Sequence, residues 1–63
     1  MKRWSGKDFE YRGYTIKNNK ADGFLNVYDS RGNYIFRVDS FGKGCVNAVK
    51  YRIDDIIKRF GEN

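Results

Sequence analysis

Phe24-Leu25-Asn26-Val27-Tyr28-Asp29-Ser30-Arg31-Gly32-Asn33-Tyr34-Ile35-Phe36-Arg37-Val38 carries the reading that decides the fold. Two runs rich in aromatic and aliphatic strand formers flank a polar pentapeptide, which is the pattern of a β-hairpin. Asp29 suits the start of a type I turn, and Gly32 suits the left-handed position that a three-residue hairpin loop requires. In the first run Leu25 and Val27 share one face, and Phe24, Asn26 and Tyr28 share the other. In the second run Tyr34, Phe36 and Val38 share a face, and Ile35, Arg37 and Asp39 take the opposite one. Burying the three apolar residues sets the register of that strand.

Upstream, Phe9-Glu10-Tyr11-Arg12-Gly13-Tyr14-Thr15-Ile16 reads as a further strand. Strict alternation places Tyr14 and Ile16 on one face, with Phe9 and Tyr11 on the other. Gly13 inside the run suits a bulge, and a bulge brings Tyr11 onto the face of Tyr14 and Ile16. Both readings stand. The polar stretch from Asn18 to Gly23 closes with Asp22-Gly23, a hairpin signal. Downstream, Val46, Val49, Ile53, Ile56 and Phe60 recur at spacings of three and four, flanked by Cys45, Ala48 and Ile57. That is the apolar stripe of a helix lying on a sheet, here spanning about residues 44 to 60. Asp54 with Lys58, and Asp55 with Arg59, are spaced to form ion pairs along it. Gly61 stands where a helix-terminating glycine is expected. The expected fold is α+β: a three-stranded antiparallel meander (βββα) with one C-terminal helix packed on one sheet face. A basic N-terminal arm over residues 1–8 precedes a single domain over residues 9–61.

Sixty-three residues suffice for one small domain, and one Cys rules out an internal disulfide. The lone thiol fits a reducing compartment. No apolar run is long enough for a membrane span, and the basic N-terminus lacks the apolar run of a signal peptide. A cytoplasmic location and no membrane partner are therefore expected. The net charge is +5 and unevenly spread. Residues 1–20 hold six basic and two acidic side chains, residues 21–42 two and three, and residues 43–63 five and three. Positive charge thus gathers on the arm, the first strand and the helix, a distribution that suits an anionic partner.

The sheet face away from the helix should carry Phe24, Asn26, Tyr28, Ile35 and Arg37, with Arg12 or Tyr11 depending on Gly13. Aromatic, amide and guanidinium groups on a twisted sheet can read base edges in a major groove or stack on unpaired bases. The same aromatics also stabilise a thin sheet through cross-strand pairs. Candidate nucleic-acid or partner contacts are Arg12, Lys17, Phe24, Asn26, Tyr28 and Arg37. In the arm, Lys2, Arg3, Trp4 and Lys7 form a second basic set around one aromatic anchor. The partner expected from these groups is nucleic acid, foremost double-stranded DNA, or a protein. Unpaired sheet edges would also allow a homodimer or strand addition.

Catalytic chemistry is poorly provided for. The absence of His removes the commonest general base and metal ligand. Cys45 beside the helix stripe reads as a small buried hydrophobe. Asp54 and Asp55 are adjacent on a helix and point about 100° apart, so they do not converge. Gly42-Lys43-Gly44 lacks the remainder of a phosphate-loop pattern. No enzyme activity, cofactor or metal site is expected.

Four stretches together resemble a known arrangement. They are Tyr14-Thr15-Ile16-Lys17-Asn18-Asn19, Gly23-Phe24 opening a strand, Tyr28-Asp29-Ser30-Arg31-Gly32, and a helix bearing Ala48, Ile53, Ile57 and Phe60. The layout resembles the small N-terminal DNA-binding domains of lambda-type and conjugative-transposon integrases, and the plant AP2 domain. Tyr11-Arg12-Gly13 is similar to the opening of an AP2 domain. The resemblance covers roughly residues 11–60. It implies a sheet lying in the major groove, with Arg12, Lys17, Asn26 and Arg37 as contacts. These 63 residues are not expected to act as a recombinase alone. Short stand-alone chains of this pattern also look like accessory proteins of phages and mobile elements, many of which bind and inhibit host proteins. The resemblance therefore implies, as the alternative, an anti-defence type inhibitor acting through the open face, a sheet edge or the helix.

Overall fold

The computed structural model describes residues 3–42 and 44–60. Four strands and one helix follow in order: β1 (Phe9–Tyr11), β2 (Tyr14–Asn19), β3 (Phe24–Tyr28), β4 (Tyr34–Asp39) and α1 (Cys45–Arg59). The strands form one antiparallel sheet in the order β1-β2-β3-β4. The α+β class and the meander agree with the sequence. The expected first strand, however, is two strands.

Arg12 and Gly13 both have positive φ, 52° and 88°, and Tyr11 pairs directly with Tyr14. This is the two-residue hairpin turn whose central residues must both be left-handed. The chain reverses at Gly13 instead of bulging, so the three-stranded sheet becomes four-stranded. Reversal puts Phe9 opposite Ile16 and Tyr11 opposite Tyr14. All four therefore face the helix, where Phe9, Tyr11 and Tyr14 pack against the core.

The Asp29–Asn33 loop forms as its residues dictate. Gly32 has φ 87°, its N–H donates to the Asp29 carbonyl, and the Asp29 N–H donates to that of Asn33. Asp29 Oδ1 accepts the N–H groups of Arg31 and Asn33, each at 2.9 Å. One residue further on the register shifts. Val27 pairs with Phe36 while Tyr28 pairs with Tyr34, leaving Ile35 as the extra residue of a bulge. The bulge turns Tyr34 away from the face of Phe36 and Val38, where alternation had placed it. Tyr34 is 55% exposed and lies edge-on to Tyr28, with ring centroids 6.0 Å apart.

The core lies between the sheet and α1. Ile16, Leu25, Val27 and Phe36 meet Cys45, Val49, Ile53 and Ile57. The buried helix residues recur every four positions, so the stripe is rotated from the expected one. Ile57 and Cys45 are central, Val46 and Ile56 are flanking, and Phe60 is 80% exposed at the C-cap. Asp55 pairs with Arg59 at 2.9 Å as its spacing suggests. Asp54 instead reaches off the helix to β1 and its turn. Gly61 lies outside the described residues.

From Arg3 onward the N-terminal arm is packed against the sheet. The Trp4 N–H donates to the Ser40 carbonyl at 2.7 Å, and Arg3 forms a bridge with Phe41 beyond the end of β4. The chain then passes β2, where Asn18 Nδ2 donates to the Trp4 and Gly6 carbonyls. The Trp4 ring meets Phe9 edge-on at 5.8 Å. A solvated tail gains nothing from a tryptophan; here the indole closes one end of the core. Opposite the arm, buried Ser40 is held from both its N–H and its Oγ by the Gly23 carbonyl.

Candidate nucleic-acid interface

The sheet face turned away from α1 is organised by a row across three strands. Lys17 pairs with Asn26, and Asn26 pairs with Arg37. Registry alone makes this row, because residues opposite one another across antiparallel strands project to the same side. Rows of Thr15, Tyr28 and Tyr34, and of Asn19, Phe24 and Asp39, flank it. The two cations lean in different directions. Lys17 Nζ lies 5.4 Å from the Tyr28 ring centroid, and Arg37 Cζ lies 4.1 Å from that of Phe24. Each ring holds a charge over its face by its quadrupole and keeps it presented on the sheet. Asn26, between them, is only 9% exposed. Beside Lys17 a hollow of about 380 Å³ opens, lined by Thr15, Lys17, Tyr28, Asp29, Ser30 and Gly32.

Five of the six expected contacts thus share one face: Lys17, Phe24, Asn26, Tyr28 and Arg37. Arg12 does not join them. It occupies the β1–β2 turn, and its guanidinium Nη1 lies 2.8 Å from Asp54 Oδ1 on the helix side. The local reason is the hairpin at Gly13, which takes the residue out of the strand on which alternation was reckoned. Ile35 sits at the bulge, 39% exposed. The sequence reading missed Tyr34, which the same bulge brings to the open face. No residue type signals a bulge between Val27 and Tyr28; Ile35 is an ordinary strand former.

Arg3 and Trp4 serve the fold. The Arg3 guanidinium donates to the Lys20 carbonyl and lies over the Phe41 ring. Lys7 is exposed and lines a cleft with Ser5, Gly6, Asp8, Asn18 and Lys20. Lys2 and Lys43 lie outside the described residues.

Two features lower the face's positive charge. Asp39 lies at its edge and accepts the Phe41 N–H through Oδ1 at 3.0 Å. Glu10, opposite Thr15, is exposed on the same side. Around the sheet, three groups are shifted from their ordinary pKa. The Arg12 guanidinium, with the Tyr11 hydroxyl, holds Asp54 below the usual carboxylate range. That hydrogen bond to Asp54, reinforced by burial, raises Tyr11. The backbone N–H of Asn33, with that of Arg31, lowers Asp29. Among the described residues, no group of three or more His, Cys, Asp or Glu could hold a metal ion. No described helix is long and apolar enough to cross a membrane.

No family model matches this chain, and no curated protein or solved structure matches it either.

Proposed function

We propose that this protein is a non-enzymatic nucleic-acid-binding module that lays its open sheet face on double-stranded DNA. The observation that carries the proposal is the Lys17–Asn26–Arg37 row, with its two cations braced over Tyr28 and Phe24. Braced cations are held ready for phosphate oxygens and groove edges, and less conformational entropy is lost when they bind. The same bracing argues against stacking on unpaired bases. Stacking needs an open ring face, and Phe24 and Tyr28 are half-buried with a cation over each. With Asn26 covered, phosphate contacts dominate and base readout is weak.

The experiment is binding to labelled double-stranded DNA, single-stranded DNA and RNA at about 50 and 200 mM salt. Preference for the duplex, with affinity falling steeply as salt rises, supports the proposal. Absence of binding at the lower salt overturns it and makes the net charge a matter of solubility.

A further inference from the structure

We infer that the outer edge of β4 is a docking site for an extended peptide that alternates acidic and apolar residues, taken up as a fifth strand. Among the described residues, β4 has a strand neighbour only on its β3 side. The arm reaches the chain beyond β4, at Ser40 and Phe41. The Ser40 N–H donates to the Gly23 carbonyl, which makes Phe24–Asp39 a pair without mutual backbone hydrogen bonds. By the alternation of an antiparallel ladder, Arg37 and Asp39 then turn their N–H and C=O groups outward. An edge of this kind is a template for another chain.

Charge and burial define the occupant. Arg37 stands on the open-face side of the edge. On the other side Phe36 and Val38 belong to the core layer, and Arg52 of α1 lies with Cζ 5.1 Å from the Phe36 ring centroid. The Asp39 carboxylate is engaged by the Phe41 N–H. A peptide strand with carboxylates opposite Arg37 and apolar side chains beside Val38 extends both layers at once, and Arg52 adds positive charge from the helix side.

A second copy of this chain fits badly. Pairing about Arg37 sets two guanidinium groups opposite one another, which is unfavourable. Pairing about Val38 would match Arg37 with Asp39, but Asp39 Oδ1 already accepts the Phe41 N–H. Pairing about Phe36 places the Ile35 bulge in the ladder.

The test uses the full chain and a capped Val-Glu-Val-Glu-Val-Glu peptide carrying a fluorophore, with its Val-Lys counterpart as control. Two variants are compared with the parent. Arg37→Pro removes an outward N–H without taking a bond from β3, a placement that edge strands tolerate. Arg52→Glu reverses an exposed charge on the helix and leaves the backbone edge of β4 as it is. The expected result is saturable binding of the acidic peptide, weakened about tenfold or more by each variant, the scale of a lost charge-assisted contact. Protection of the Arg37 and Asp39 amides from hydrogen exchange should accompany binding. Equal binding of the lysine peptide, indifference to both variants, or a concentration-dependent dimer abolished by Arg37→Pro would each overturn the proposal.

Discussion

The Tyr11 hydroxyl lies 2.9 Å from Asp54 Oδ1 and 3.2 Å from Oδ2, joining the first strand to the last helix across 43 positions. Arg12 reaches the same carboxylate at 2.8 Å. Two groups thus converge on one helix residue, and the convergence exists only because the chain reverses at Gly13. Tyr11→Phe and Asp54→Asn should each lower the urea midpoint, with an unchanged dependence on denaturant. The double variant should lose less than the sum of the two, because both remove the same contact. Strict additivity in the denaturation cycle would show that the contact contributes nothing to folding.

The shifted groups set the pH window of that stability. Asp54 and Asp29 are held below their ordinary value in the folded chain. Their contributions are complete above the unfolded carboxylate pKa of about 3.9 and are lost as pH falls through the lower folded values. Tyr11 is raised, so its contribution is complete below the unfolded phenol value of about 10 and is lost as pH climbs through the higher folded one. Urea midpoints measured against pH should therefore form a plateau that falls at both ends. Tyr11→Phe should soften the alkaline decline, and Asp29→Ala the acid one. An acid limb unchanged by removal of either carboxylate would refute the assignment.

Gly6 is required by its neighbour. A Cβ at this position would stand 2.0 Å from Trp4 Cζ2 and 2.4 Å from Cη2. Either the indole or the arm must move. Gly6→Ala should cost about 1–3 kcal/mol, the range for overpacking a fitted contact. Trp4 is the sole tryptophan, so its emission reports the change directly. A shift to longer wavelength with the loss of stability is the expected outcome. Parent-like emission and stability would place the indole elsewhere.

The hairpin at Asp29–Asn33 and the buried face of β3 were legible because one residue type or one apolar pair settles each. Asp29 and Gly32 name their turn, and Leu25 and Val27 name their buried face. The reversal at Arg12-Gly13 was harder. The left-handed first position usually holds Asn, Asp or Gly, and an arginine there gives no such signal. Missing it cost one strand, the face of Phe9 and the placement of Arg12, and left the face of Tyr11 open. The rotated helix stripe has a different cause. Val46, Ile56 and Phe60 fit the period as well as Cys45 and Ile57, and only the sheet's shape selects between the two sets. The open-face row was legible in part. Asn26 and Arg37 followed from alternation and Lys17 came with the resemblance, but their alignment depends on strand registers that only pairing defines.

Removing Arg12 from the open face changes what its substitution should do to DNA binding. Lys17→Ala and Arg37→Ala each delete a cation from the row, and each should weaken binding and lower the log–log salt slope by about one unit. Arg12→Ala takes a charge from the helix side, where the guanidinium lies 2.8 Å from Asp54. Affinity and salt slope should then stay within about a factor of two of the parent, since a distant charge is largely screened beyond a Debye length. Stability should fall instead, and most fully above the unfolded carboxylate pKa of about 3.9, where the contribution of the lowered Asp54 is complete. Titrations of all three variants on one duplex at several salt concentrations, beside their urea midpoints, separate the two roles. A slope lost in Arg12→Ala and kept in Lys17→Ala would move the interface from the sheet face to the β1–β2 turn.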